Sequence, residues 1–92
     1  LNLEIRNEFS YKLDCMGLEV APSQTNFVLV GFPMGSKSAV DAHHYLEANG
    51  VIVRRLASPA YSNYIRFTVG SREDMTTTAN LLKDFLSQAK DQ

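Results

Sequence analysis

Three arginines stand at the ends or middle of strand-like runs: Arg66 inside Tyr64-Ile65-Arg66-Phe67-Thr68-Val69-Gly70, and Arg54 and Arg55 closing Val51-Ile52-Val53-Arg54-Arg55-Leu56. A guanidinium is a planar fork that offers carboxylate or phosphate two parallel, charge-assisted hydrogen bonds, a geometry lysine does not copy. The chemistry on offer is therefore recognition of an anion. Side chains of a strand alternate, so Ile65, Phe67 and Val69 build a core face while Tyr64, Arg66 and Thr68 share the other, which must meet water, a carboxylate or an anionic ligand. Arg54 and Arg55 point to opposite faces, so at most one joins Arg66. Alternation does not choose between them, because the register between strands is not written in either run. The competing role for Arg66 is a structural ion pair with a helix carboxylate.

Other chemistry finds less support. His43 and His44 are adjacent and point roughly 100° apart on a helix, so they do not chelate one metal. One belongs in an apolar face and the other in water. Cys15, near a helix end with nothing beside it to lower its pKa, is expected as a small buried hydrophobe. Asp14, Asp41, Glu47, Glu73, Asp74 and Asp84 scatter over helix surfaces with no pair set for acid and base work. Tyr45 and Tyr61 read as packing or surface residues. Neither Ser58-Pro59-Ala60-Tyr61 nor the loop between Gly31 and Gly35 has a phosphate-cradling pattern, and no nucleophile with its base is visible.

The chain of 92 residues, 45% hydrophobic and 21% charged, has the composition of one globular domain with a core of its own. Its net charge of −1 argues against a nucleic-acid surface. The single cysteine forbids an internal disulfide and fits a reducing, cytoplasmic setting. No apolar run approaches the ~20 residues that span a bilayer, and no membrane role is expected. The start at Leu1 points to a segment of a longer protein.

The elements that position the arginines follow from periodicity. Leu1, Ile5, Phe9, Leu13 and Met16 mark an amphipathic helix over residues 2–16 that Gly17 stops. Leu18-Glu19-Val20 is a candidate short strand, and Asn26-Phe27-Val28-Leu29-Val30 a buried one. Ser36 or Ser38 caps a helix to Asn49, with Val40, a histidine and Leu46 as a partial stripe and Gly50 as terminator. A strand over 51–55, an irregular connection and a strand over 64–69 come next. Ser71 and Asp74 form a capping box for a last helix with Met75, Ala79, Leu82, Leu86 and Ala89 inward. A right-handed crossover makes the strands over 26–30 and 51–55 parallel to each other, and the strand over 64–69 fits antiparallel between them. The expected fold is α+β, a three-stranded, mainly antiparallel sheet of split βαβ type, order 1-3-2, with helices on one face.

The runs Ser23-Gln24-Thr25-Asn26-Phe27-Val28-Leu29-Val30, Gly50-Val51-Ile52-Val53-Arg54 and Ile65-Arg66-Phe67-Thr68-Val69-Gly70, in this order, resemble the C-terminal small domain of histidinol-phosphate aminotransferases, fold-type I enzymes of the aspartate aminotransferase superfamily. The resemblance covers nearly the whole chain, residues 1–92 then forming one domain of a longer enzyme. It implies that Arg66 grips the substrate carboxylate of glutamate or 2-oxoglutarate and that Arg54 helps bind the phosphate of histidinol phosphate, with Arg55 unassigned. It implies pyridoxal 5'-phosphate held by a lysine of a large domain missing here, amino-acid and 2-oxo-acid substrates, and a homodimer. Lys12, Lys37, Lys83 and Lys90 lack the family's surroundings for that lysine, so the segment alone should be inactive. An aromatic aminotransferase, a threonine-phosphate decarboxylase and a stand-alone α+β module binding an anion or a protein are the alternatives.

Overall fold

A computed structural model of the chain describes residues 3–21, 26–32, 37–56 and 58–88. Helix α1, Leu3–Cys15, turns Ile5, Phe9 and Leu13 inward. It stops where expected: Gly17 takes φ +89°, and the Leu18 N–H donates back to the Leu13 carbonyl at 3.2 Å. The reversal lays β1, Glu19–Ala21, beside β2, Phe27–Gly31. Helix α2, Ala39–Ala48, begins at Ser38, whose Oγ accepts from the Asp41 N–H at 3.3 Å. It ends with Gly50 at φ +87° and a bond from the Val51 N–H to the Leu46 carbonyl at 2.8 Å. Then come β3, Arg54–Arg55, a 3-10 turn at Pro59–Tyr61, β4, Tyr64–Thr68, and α3, Arg72–Ser87, where Ser71 Oγ accepts from the Asp74 N–H at 3.1 Å. Leu1, Ser23, Gln24, Thr25, Gly35, Ser36, Ala89 and Lys90, each named in an expected element or motif, lie outside the described residues.

The chain is α+β, with a four-stranded antiparallel sheet in the order β1-β2-β4-β3. The expectation of three strands is thus corrected. The turn at Gly17 delivers Glu19–Ala21 to the otherwise open edge of β2, where its backbone groups find partners. Strand β4 lies between β2 and β3, as the split arrangement requires. The strand expected over 51–55 shrinks to Arg54–Arg55, because the Val51 amide is spent closing α2 and Ile52 stands 85% exposed.

The core lies between the sheet face bearing Val28, Val30, Ile65 and Phe67 and the three helices. Phe9 of α1 meets Phe67 of β4 with ring centroids 5.5 Å apart, and Leu46 and Leu82 bring α2 and α3 into the same mass. Each such side chain stabilises the fold by about 1.5–3 kcal/mol. Two packing expectations fail on helical geometry. Cys15 is exposed: it follows Leu13 by two residues, about 200° around the helix, and so faces away from the core. Val40 is also exposed, and Ala39 and Ala42 take the inward places with Leu46, while His43 is half-buried and His44 exposed. Among the described residues no helix is long and apolar enough to cross a membrane, and no group of three metal-ligating side chains occurs.

Arg72 fastens the start of α3 to α1. Its Nε and Nη2 donate to the two Glu8 oxygens, each at 3.0 Å, and Nη2 also lies 3.4 Å from Glu4 Oε1. Hydrogen bonding to Arg72 holds the Glu8 carboxyl below its ordinary value. A lowered carboxylate pKa adds stability above the unfolded value and loses it as pH falls through the folded one. Glu8→Gln should therefore lower the urea midpoint at neutral pH, and the difference from the parent should vanish in acid, below the folded pKa of Glu8. A difference that persists unchanged in acid would refute the pairing.

Candidate anion-binding face

The face of the sheet turned away from the helices is built in cross-strand rows. Ala21 pairs with Leu29, Leu29 with Arg66, and Arg66 with Arg54, so these four form one row across all four strands. Residues directly opposite on neighbouring strands point to the same face. The register therefore answers the question left open by alternation: Arg54 stands beside Arg66, whereas Arg55 is opposite the core residue Ile65. Like charges placed directly opposite destabilise a sheet unless an anion joins them.

Arg66 leans along the sheet toward Phe27, its guanidinium carbon 4.2 Å from the ring centroid. That contact stabilises a cation by about 0.5–1 kcal/mol at an exposed site. It satisfies no N–H, and the Arg66 Nε is buried with no hydrogen-bond partner. An unsatisfied buried donor costs about 1–3 kcal/mol. Among the described residues no acidic side chain is paired with Arg66 or Arg54, in contrast to the forked grip of Arg72 on Glu8. The structural ion pair that competed with a ligand role for Arg66 is thus not formed within the described residues. The arginine row, whose other members are Ala21 and Leu29, can bind an anion and itself carries neither a nucleophile nor a base.

A second row, Glu19, Gly31 and Tyr64, lies next to the arginine row on the same face. The Tyr64 ring packs against Gly31, where an added Cβ would come within 3.0 Å of two ring carbons and 3.4 Å of Glu19 Oε1. Hydrogen bonding to Glu19 raises the Tyr64 phenol above 10.0, helped by burial, and Tyr61 stacks edge-on against it at 5.4 Å. The sequence signal for this row was the parity of Phe27, Leu29 and Gly31 with Tyr64, Arg66 and Thr68. Glu19 was missed, since only the pairing of β1 with β2 brings it to this face.

The model of the aminotransferase class I and II family matches residues 3–82. The chain is 35% identical over 86 residues to histidinol-phosphate aminotransferase of Rhodospirillum centenum, covering 94% of this chain and 24% of that protein. With the Nitrobacter hamburgensis histidinol-phosphate aminotransferase it shares 36% over 84 residues, 90% of this chain and 23% of the relative. Among solved structures, a putative aminotransferase from Burkholderia pseudomallei superposes with a TM-score of 0.79 at 26% identity, over 92% of this chain and 25% of that one. A decarboxylase from Sulfurospirillum multivorans does so with 0.79 at 25%, over 91% and 25%. The chain spans about a quarter of the length of the curated relatives it matches. Matched along most of its length by the family model and by these relatives, it belongs to the aminotransferase class I and II family, whose enzymes depend on pyridoxal phosphate.

Proposed function

We infer that the chain is the C-terminal, substrate-anchoring small domain of a longer aminotransferase, one that moves the amino group of histidinol phosphate to 2-oxoglutarate, giving imidazole acetol phosphate and glutamate in histidine synthesis. The observation that carries this reading is the pairing of Arg54 with Arg66 on one open sheet face, with no acid engaged to either among the described residues. Arg66 holds the substrate carboxylate by two parallel hydrogen bonds, and Arg54, one strand away, takes the phosphate. Fixing the anionic end orients the reacting carbon, and closure of the small domain over the rest of the enzyme excludes water. The parent enzyme is a cytoplasmic homodimer in this reading.

The described residues do not fit the cofactor's own anchorage. Lys37 lies 5.0 Å from the centroid of Phe85, a residue of α3, and Lys12 and Lys83 stand exposed on α1 and α3. All three belong to the helix layer, on the opposite side of the sheet from the arginines. The lysine and the acidic partner of the pyridine nitrogen therefore belong to the large domain, and this segment alone has no transaminase activity. The likeness to a decarboxylase favours a second reading, a sibling enzyme such as a threonine-phosphate decarboxylase, in which the same arginines hold the same two anionic groups.

In the complete enzyme, Arg66→Ala should raise the KM for 2-oxoglutarate by the equivalent of about 2–5 kcal/mol, and Arg66→Lys should recover little of it. An unchanged KM would remove Arg66 from the site. Arg54→Ala should weaken histidinol phosphate about tenfold or more, the scale of one charge-assisted hydrogen bond, and 2-oxoglutarate much less. Equal effects on the two substrates would contradict the division of labour. Turnover of threonine phosphate with release of carbon dioxide, and none of histidinol phosphate, would select the sibling enzyme.

A further inference from the structure

The open face carries an acid as well as its arginines. Glu19 sits two strands and two residues from Arg66, a Cα separation of roughly 12 Å at ~4.8 Å per strand and ~3.3 Å per residue. An extended glutamate and an extended arginine close such a gap together, and a guanidinium without a partner attracts any carboxylate within reach. Yet the two do not meet. Glu19 Oε1 and the Tyr64 ring converge on the space over Gly31, the carboxylate close enough to raise the phenol's pKa, while the Arg66 guanidinium lies over Phe27. Positions 27 and 31 are separated by about 13 Å along β2. Gly31 lets the ring come this close, since a Cβ there would press on two ring carbons at 3.0 Å and the ring would have to give way. Tyr61, edge-on to Tyr64, packs the ring in place.

We propose that Tyr64 is a positioning residue for anion binding: its phenol detains the Glu19 carboxylate over Gly31 and so keeps that acid from neutralising Arg66 and Arg54. The inference rests on the arginine face being the substrate-anchoring site. Tyr64 touches no substrate in this account; it acts through Glu19. Without the phenol, Glu19 competes with the ligand as an internal anion, and binding must first displace it.

Three variants of the complete enzyme test this by steady-state kinetics with 2-oxoglutarate. Tyr64→Phe, which keeps the ring but loses the hydroxyl, should raise the KM about fivefold with kcat nearly unchanged, the scale of displacing one exposed ion pair. Glu19→Gln should bind at least as tightly as the parent. The double variant Y64F/E19Q should return the KM to within about twofold of the parent. That rescue is the diagnostic readout, because a merely structural loss at Tyr64 would not be repaired by removing a charge on another strand. A KM unchanged in Tyr64→Phe, or a double variant as weak as Tyr64→Phe, overturns the proposal. Arg66→Ala, run alongside, separates the failures: if it leaves the KM intact, the site reading falls, and if it raises the KM while Tyr64→Phe does not, only the role of Tyr64 falls.

Discussion

Two guanidinium groups facing the same way on adjacent strands set a constraint that the rest of the molecule must accommodate. The repulsion between directly opposed like charges costs about 0.2–1 kcal/mol, and the orphaned Nε of Arg66 adds a donor that water does not reach. The Phe27 ring offsets part of this by accepting the cation on its face. It leaves the hydrogen-bonding capacity of the fork unused. A charge-assisted bond to an anion contributes about 1.5–3 kcal/mol, enough to reverse the balance were an anion to bind there as proposed. Such mild frustration in the free state is the condition under which binding energy can be spent on holding a substrate in one orientation.

The fold keeps that face open by putting its helices on the other side. Val28, Val30, Ile65 and Phe67 face inward and hold the helices, and the alternate residues of the same strands are thereby committed to the outside. A slip of one residue in the register of β4 would bury Arg66 and expose Ile65 and Phe67. The hydrophobic core and the placement of the arginine are one choice, made once. The glycines at 17 and 50 serve the same end, since each reverses the chain from a helix into the strand or edge that lines the face.

Much of this was legible in the residues. The alternation that sets Arg66 apart from Ile65 and Phe67, a strand over 26–30 found one residue on at Phe27–Gly31, the cap at Ser71, one of two candidate caps at Ser38 and the stops at Gly17 and Gly50 are local patterns, each readable within a few positions. What escaped depended on pairing between distant segments. Choosing Arg54 over Arg55 needs the register of β3 against β4. The edge strand Glu19–Ala21 and the arrival of Glu19 on the arginine face need the pairing with β2. The exposure of Cys15 is a matter of helical phase: its angle from Leu13 overrides the burial that its residue type favours.

Among the described residues Arg66 leaves its fork unpaired, and in the proposed reading it takes its anion from the substrate. A crystal structure of the complete enzyme with 2-oxoglutarate tests this most directly. A ligand carboxylate is expected about 2.7–2.9 Å from two nitrogens of the Arg66 guanidinium. A guanidinium engaged instead by a carboxylate of the protein, with the ligand held elsewhere, would contradict it.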